Sequence, residues 1–372
     1  MAVPKAERPS SSFAFDGPER GVSLVLSNPP LRPSRDCVEA PLGDPFHVLA
    51  TRYSCDNCTS PDALTLVLTH SLVVHMETWD ITIAHLFKLQ SADPSSRVKI
   101  REIFSVESPN HGRSAQVNAE ELVKNPLNDW TREYSRAVQR FLVAQFSPEK
   151  RIDSAPLNLV GISHSFGAAA LFIAAESIPS IRFKAMITFE PGMTAKDHPY
   201  RHRSNQAAVA WAWLRPDVWR SRKAARKELA ASPMYSSWDP RVFDLFIENG
   251  LIDHPGAKDP PPYTFPGVTT ALSKVHHARS FQSDDLMIDG INSYAAVTRK
   301  IPVHVVWGSI HELANQELKD FMSDARAGRT PVSVSYIEGA SHMVIQQKPE
   351  EAAEMIYSLL TTPLHPPPLS HL

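Results

Sequence analysis

The serine with the most chemical promise sits where a strand should turn into a helix. The segment Gly161-Ile162-Ser163-His164-Ser165-Phe166-Gly167-Ala168 follows the pattern small–x–nucleophile–x–small, with Ser165 at the apex. A strand that turns sharply into a helix holds its apex residue in a strained backbone conformation. Side chains two residues before and after must then be small, and Ser163 and Gly167 meet that need. The helix start behind Ser165 offers free N–H groups and the positive end of a dipole, a place for an oxyanion to form. Ser163 is the rival nucleophile, but the strand length and the following Gly167-Ala168-Ala169-Ala170 put Ser165 at the turn. A serine nucleophile needs a base, and a histidine on a late loop is expected to supply it. Glu338-Gly339-Ala340-Ser341-His342-Met343-Val344 directly follows the last apolar run, which singles out His342 among the 16 histidines.

Those two residues, far apart in the chain, meet only if strands carry them to one edge of a sheet. Apolar runs at 46–53, 64–69, 98–106, 157–162, 183–189, 303–307 and 332–337 predict strands. Helical spacing at 79–89, 129–146, 168–176 and 349–360 predicts helices; in the second, Trp130, Tyr134, Val138, Phe141 and Leu142 share one side. This alternation indicates an α/β fold with a mostly parallel sheet flanked by helices. Ser165 and His342 then lie at the carboxyl ends of the strands, where open α/β sheets collect their chemistry. The alternation stops at Pro191 and resumes at Ile301. Residues 191–300, rich in Trp, Arg and Pro, with helical spacing at 206–230 and 241–249, are expected to form an inserted, mainly helical cap. The core is assigned to 46–190 and 301–360, with an N-terminal extension at 1–45 holding one possible edge strand. A Pro-rich tail occupies 361–372.

Composition closes off several other functions. The chain has 372 residues, 42% hydrophobic and 21% charged, enough for a large core without disulfides or metal. Its 38 basic and 40 acidic residues leave a net charge of −2, which argues against a nucleic-acid partner. The 3 cysteines include Cys55-Asp56-Asn57-Cys58, half of a zinc-ribbon pattern with no second half nearby, so no metal is expected. No apolar run reaches the roughly 18 residues of a membrane span. Pro4, Glu7 and Pro9 stand where a secretory signal would be apolar, so an intracellular compartment is expected. The last three residues, Ser370-His371-Leu372, form a small–basic–leucine tripeptide similar to a peroxisomal address. The prolines before it favour an extended tail that an import receptor can reach. Peroxisomal localisation is therefore expected, with cytoplasm as the runner-up.

With the elbow and the histidine loop in place, the chain resembles the α/β-hydrolase family over about residues 46–360. Leu66-Val67-Leu68-Thr69-His70-Ser71 stands where that family has strand–His-Gly, and Glu107-Ser108-Pro109-Asn110-His111-Gly112-Arg113-Ser114 is similar to the family's next turn. The resemblance implies oxyanion-hole donors at the backbone N–H groups of Leu72 and Phe166, although Ser71 replaces the usual glycine. The family most often places its triad aspartate just past the strand at 303–307, but His311 stands there, and Glu312 comes one residue late. Some members take the acid from the end of the preceding strand, where this chain has Glu190 in Phe189-Glu190-Pro191. Glu190 is the favoured acid and Glu312 the alternative. Within the family, the chain is most similar to fungal hydrolases of toxin and polyketide biosynthesis, many of them peroxisomal. The likeness rests on Thr69-His70, Asn110-His111-Gly112, Glu190-Pro191, Trp238-Asp239-Pro240-Arg241 with Gly250-Leu251, and the run from His342 to Pro349.

That resemblance implies a cofactor-free serine hydrolase acting on an ester or an acyl-CoA thioester. The serine would attack the carbonyl while the histidine takes its proton, and water would then release the acyl-enzyme. The basic run Arg220-Ser221-Arg222-Lys223-Ala224-Ala225-Arg226-Lys227 could attract the phosphates of coenzyme A, though a solvated helix face explains it as well. Trp211, Trp213, Trp219 and Trp238 are expected to serve packing more than a substrate wall. Epoxide or haloalkane hydrolysis is disfavoured, because both need a carboxylate at position 165. The rival from another class is a non-catalytic, ligand-binding protein of the same fold, motivated by Ser71 and His311.

Overall fold

The computed structural model describes residues 20–25, 45–54, 58, 60–126, 130–147, 157–196, 198–282 and 285–361. Cys37, Cys55 and the terminal tripeptide lie outside the described residues; Cys58 is a free thiol. The central sheet is built from β1 (Arg20–Val25), β2 (Val48–Ser54), β3 (Leu64–Thr69), β4 (Ile100–Val106), β5 (Leu159–His164) and β6 (Phe183–Phe189). A small cap sheet follows in β7 (Val218–Trp219), β8 (Leu251–Asp253) and β9 (Val268–Thr270), and β10 (Val303–Gly308) and β11 (Ser333–Ile337) complete the central one. Its order is β1-β2-β4-β3-β5-β6-β10-β11, antiparallel at β1/β2 and β2/β4 and parallel in every later pair.

β3, β5 and β10 are buried along their whole length, as strands covered on both faces should be. One apolar core lies under helices Trp130–Phe146, Phe166–Ser177 and Asp285–Thr298, and contains Val67, Phe104, Phe141, Phe172, Tyr294 and Trp307. The other face is covered by Asp80–Ala92 and Pro349–Thr361, around Leu66, Trp79, Ile162 and Ile356. Among the described residues no helix is long and apolar enough to cross a membrane.

The insertion divides differently from the sequence expectation in two places. Helical spacing at 206–230 becomes two helices, Pro199–Leu214 and Arg222–Ala230, separated by the short strand β7. Pro216 explains the break: it lacks an N–H and disfavours helix in the residue before it. The last helix before β10, Asp285–Thr298, packs on Phe166–Ser177 and belongs to the core layer, so the cap ends short of residue 300. The rest of the cap has its own apolar centre of Trp219, Trp238, Phe243 and Phe246, joined by Val74 and Met343 of the core. Asp239 N–H donates to the Gln346 carbonyl at 2.8 Å, and Arg241 pairs with Glu350 at 2.7 Å.

Candidate active site

Parallel register brings the functional loops to one rim. Thr69 faces Ser163, His164 faces Phe189, Val306 faces Phe189, and Gly308 faces Ile337. Each chain therefore leaves the sheet at the same level, and the residues that follow β5, β6 and β11 sit side by side.

Ser165 immediately follows β5 and caps the helix Phe166–Ser177 at φ 51° and ψ −116°. For an L-residue this positive φ is strained, and here the strain is held by the strand behind and the helix ahead. Ser165 N–H donates to the Phe189 carbonyl at 2.9 Å, and the Thr69 hydroxyl donates to the Gly167 carbonyl at 2.9 Å. The elbow lies so close to β3 that a Cβ on Gly167 would stand 2.6 Å from the His70 carbonyl oxygen. Ser163 points elsewhere, its hydroxyl 2.9 Å from that of Thr188.

The Ser165 hydroxyl lies 2.8 Å from His342 Nε2, and His342 Nδ1 lies 3.2 Å from Glu190 Oε2. A carboxylate only accepts, so Nδ1 carries the ring proton and Nε2 offers its lone pair to the Ser165 O–H. Glu190 is buried at φ 47°, and its other oxygen accepts from Gly308 N–H at 2.6 Å. Both oxygens are thus fixed, and with them the plane of the imidazole. Glu312 is exposed on the loop beyond β10 and has no hydrogen bond to His342. His311 is exposed as well.

Leu72 and Phe166, the expected oxyanion donors, are both buried beside Ser165's rim. The intervening loop is held from below. Ser108 N–H donates to His70 Nε2 at 3.1 Å, so His70 Nδ1–H must donate to the Ser71 carbonyl, 2.7 Å away. Burial pushes the pKa of His70 down to about 4, which keeps this tautomer neutral. His111 Nε2 accepts from Val73 N–H at 3.3 Å, and Val73 itself has φ 75°.

Three further residues complete the geometry and carry no local motif. His164 Nε2–H donates to the His342 carbonyl at 2.8 Å, and burial drives the pKa of His164 to about 3. A Cβ on Gly308 would lie 2.3 Å from the Ala340 carbonyl oxygen, so only glycine lets β10 approach the histidine loop. Lys319 Nζ donates to the Gly308 carbonyl at 3.0 Å and lies over the rings of Trp307 and Tyr336. In the basic run, Arg222 binds the Ile247 carbonyl at 2.7 Å and Arg226 pairs with Asp244, while Arg220, Lys223 and Lys227 remain exposed. Trp219 and Trp238 are cap core, whereas Trp213 is 47% exposed.

A doubly flanked, mostly parallel eight-stranded sheet with a serine elbow and a late histidine loop defines the α/β-hydrolase fold. Residues 66–355 match the alpha/beta hydrolase family, and the chain belongs to it. Among solved structures it is similar to the peroxisomal alpha-beta-hydrolase Lpx1 of Saccharomyces cerevisiae, at 16% identity and a TM-score of 0.67, over 94% of this chain and 92% of that one. It is also similar to the thioesterase domain of the curacin biosynthetic pathway (15% identity, TM-score 0.54, 85% and 96% covered). An esterase of Mycobacterium tuberculosis gives 13% identity and a TM-score of 0.54, with 93% and 94% covered. At these identities the likeness is one of fold. No curated protein matches the chain.

Proposed function

We propose that this protein is a serine hydrolase that cleaves a carboxylic ester or an acyl-CoA thioester through Ser165, His342 and Glu190. The carrying observation is the 2.8 Å contact between the Ser165 hydroxyl and His342 Nε2 at a strained elbow. His342 takes the hydroxyl proton as Ser165 attacks the carbonyl, and Glu190 stabilises the imidazolium. The oxyanion is received by the N–H groups of Leu72 and Phe166. His342 then protonates the leaving group. A water, deprotonated by the same imidazole, releases the acid. A thioesterase domain and an esterase among the structures this chain is similar to are compatible with either bond. A non-catalytic binding role has no use for a hydroxyl held in strain against an aligned imidazole. Replacing Ser165 by Ala should lower turnover by about 10⁴- to 10⁶-fold; wild-type hydrolysis by the variant on every substrate cleaved would overturn the assignment.

The proposed site of action is the peroxisome, with Ser370-His371-Leu372 read by the import receptor. A role in fungal secondary metabolism fits that placement. An N-terminally tagged chain should reach peroxisomes and should lose that placement when residues 370–372 are removed. Unchanged import of the truncated chain refutes the address.

A further inference from the structure

Arg215 closes the cap helix Pro199–Leu214 and is only 6% exposed. Its guanidinium donates to His277 Nδ1 at 3.1 Å, Thr270 Oγ1 at 3.0 Å and the Leu272 carbonyl at 2.7 Å. All three acceptors are neutral. Among the described residues no carboxylate forms an ion pair with it, and Asp217, which acts on it from further off, is paired with Lys274 at 3.2 Å. A guanidinium has five N–H groups, so two are left over. A buried cation without a counter-charge is costly, and that cost has no evident return inside the protein.

His277, bonded to Arg215, and Asn110, next to His111, hold further spare donors, although neither lines the void at the seam between cap and core. His277 accepts on Nδ1, so its Nε2 bears the proton, and that atom is buried without an acceptor. Asn110 has its oxygen occupied by His111 and Ser108, and its buried amide nitrogen has no partner. A small void of about 10 Å³ lies at the seam, lined by Val73, His75 and His111 of the core and Arg215, Thr270 and Leu272 of the cap. Val73 directly follows Leu72, so this void borders the loop that would receive the oxyanion. The nearby acids are already engaged: Glu107 accepts from Met76 and Ser114 N–H groups at 3.3 and 2.8 Å, and Glu77 faces His75 Nδ1 at 2.9 Å.

We propose that this seam recognises a carboxylate at the far end of the substrate's acyl chain, so that the substrates are half-esters or half-thioesters of dicarboxylic acids. The inference rests on the serine-hydrolase reading and narrows it. One fixed positive charge matches a single carboxylate better than the larger, more highly charged phosphates of coenzyme A, and the void, of one-water size, marks where the seam would open. The chain end enters by widening the seam between cap and core.

The test is a length series of 4-nitrophenyl half-esters, from succinate to sebacate, each set against the ester of the monocarboxylic acid of equal length. At one length or more, wild-type kcat/KM should favour the half-ester by about 10- to 100-fold, the worth of a buried charged hydrogen bond. The gain should appear in KM. In Arg215→Gln the ratio should fall to near one, and Arg215→Lys should recover part of it. No preference in the wild type, or a preference that survives Arg215→Gln, overturns the proposal. So does a preference for coenzyme A over N-acetylcysteamine thioesters that Arg215→Gln abolishes, because phosphate is then the anion. Should Arg215→Gln fail to fold, calorimetry on Ser165→Ala, which keeps Arg215, gives the answer. The half-ester must bind at least tenfold tighter than its neutral partner, and equal affinity refutes the site. Hydrolysis by Ser165→Ala would instead sink the serine-hydrolase reading and leave this binding comparison standing.

Discussion

Among the described residues, the non-glycine residues at positive φ are Val73, Ser165 and Glu190. One lies next to a proposed oxyanion donor, one is the proposed nucleophile and one the proposed acid, so backbone strain is concentrated at the candidate site. Ser165 and His342 were legible because each sits in a short local pattern of small residues after a strand. His164 was not, since its partner is a backbone carbonyl 178 residues away. It ties the histidine loop to the elbow, and burial depresses its pKa so that it stays uncharged there. Replacing His164 by Leu should lower kcat by about 10- to 100-fold with little change in KM, as a displaced base does. His164→Gln, which keeps a donor, should recover part of the loss. An unchanged kcat in the Leu variant would show that the tie does not position the base.

At the scale of elements, the strand ends decide which carboxylate reaches the imidazole. In the sequence, Glu190 and Glu312 both follow apolar strands, and only the family resemblance favours Glu190. The register settles their placement: Glu190 N–H is held by the Val306 carbonyl at 2.9 Å and turns toward His342, while Glu312 lies beyond the β10 loop in solvent. Gly308 is the hinge of this arrangement, since its N–H holds Glu190 and its bare Cα admits the histidine loop. Gly308→Ala must push β10 and the loop apart and draw the N–H from the carboxylate. We expect a loss of about 1–3 kcal/mol in stability, typical of overpacking, together with a fall in kcat. Denaturant midpoints and steady-state kinetics on the same preparation check both, and a fully active, equally stable variant contradicts the packing described.

For the whole molecule, the α/β alternation was readable from periodicity, because buried parallel strands form short apolar runs. The inner boundary of the cap was not, since Asp285–Thr298 is helical like its neighbours and only packing assigns it to the core. Nor could the sequence reveal how many histidines are buried uncharged. Burial lowers the pKa to about 4 for His70 and His276, and to about 3 for His164 and His277. Their unfolded value is about 6.5, so between that pH and the folded values the unfolded chain binds more protons. Stability is therefore fully present above about pH 6.5 and falls on acidification toward pH 4, each histidine contributing up to about 1.4 kcal/mol per pH unit. Urea midpoints from pH 7.5 to 4.5 should fall steeply, and a flat profile would mean that these side chains are hydrated. If Ser165 is the nucleophile, mass spectrometry after treatment with a fluorophosphonate should find one adduct on the peptide carrying Ser165, absent from Ser165→Ala and strongly slowed in His342→Ala. A folded protein that stays unlabelled, or carries the adduct on Ser163, would show that Ser165 is not the nucleophile.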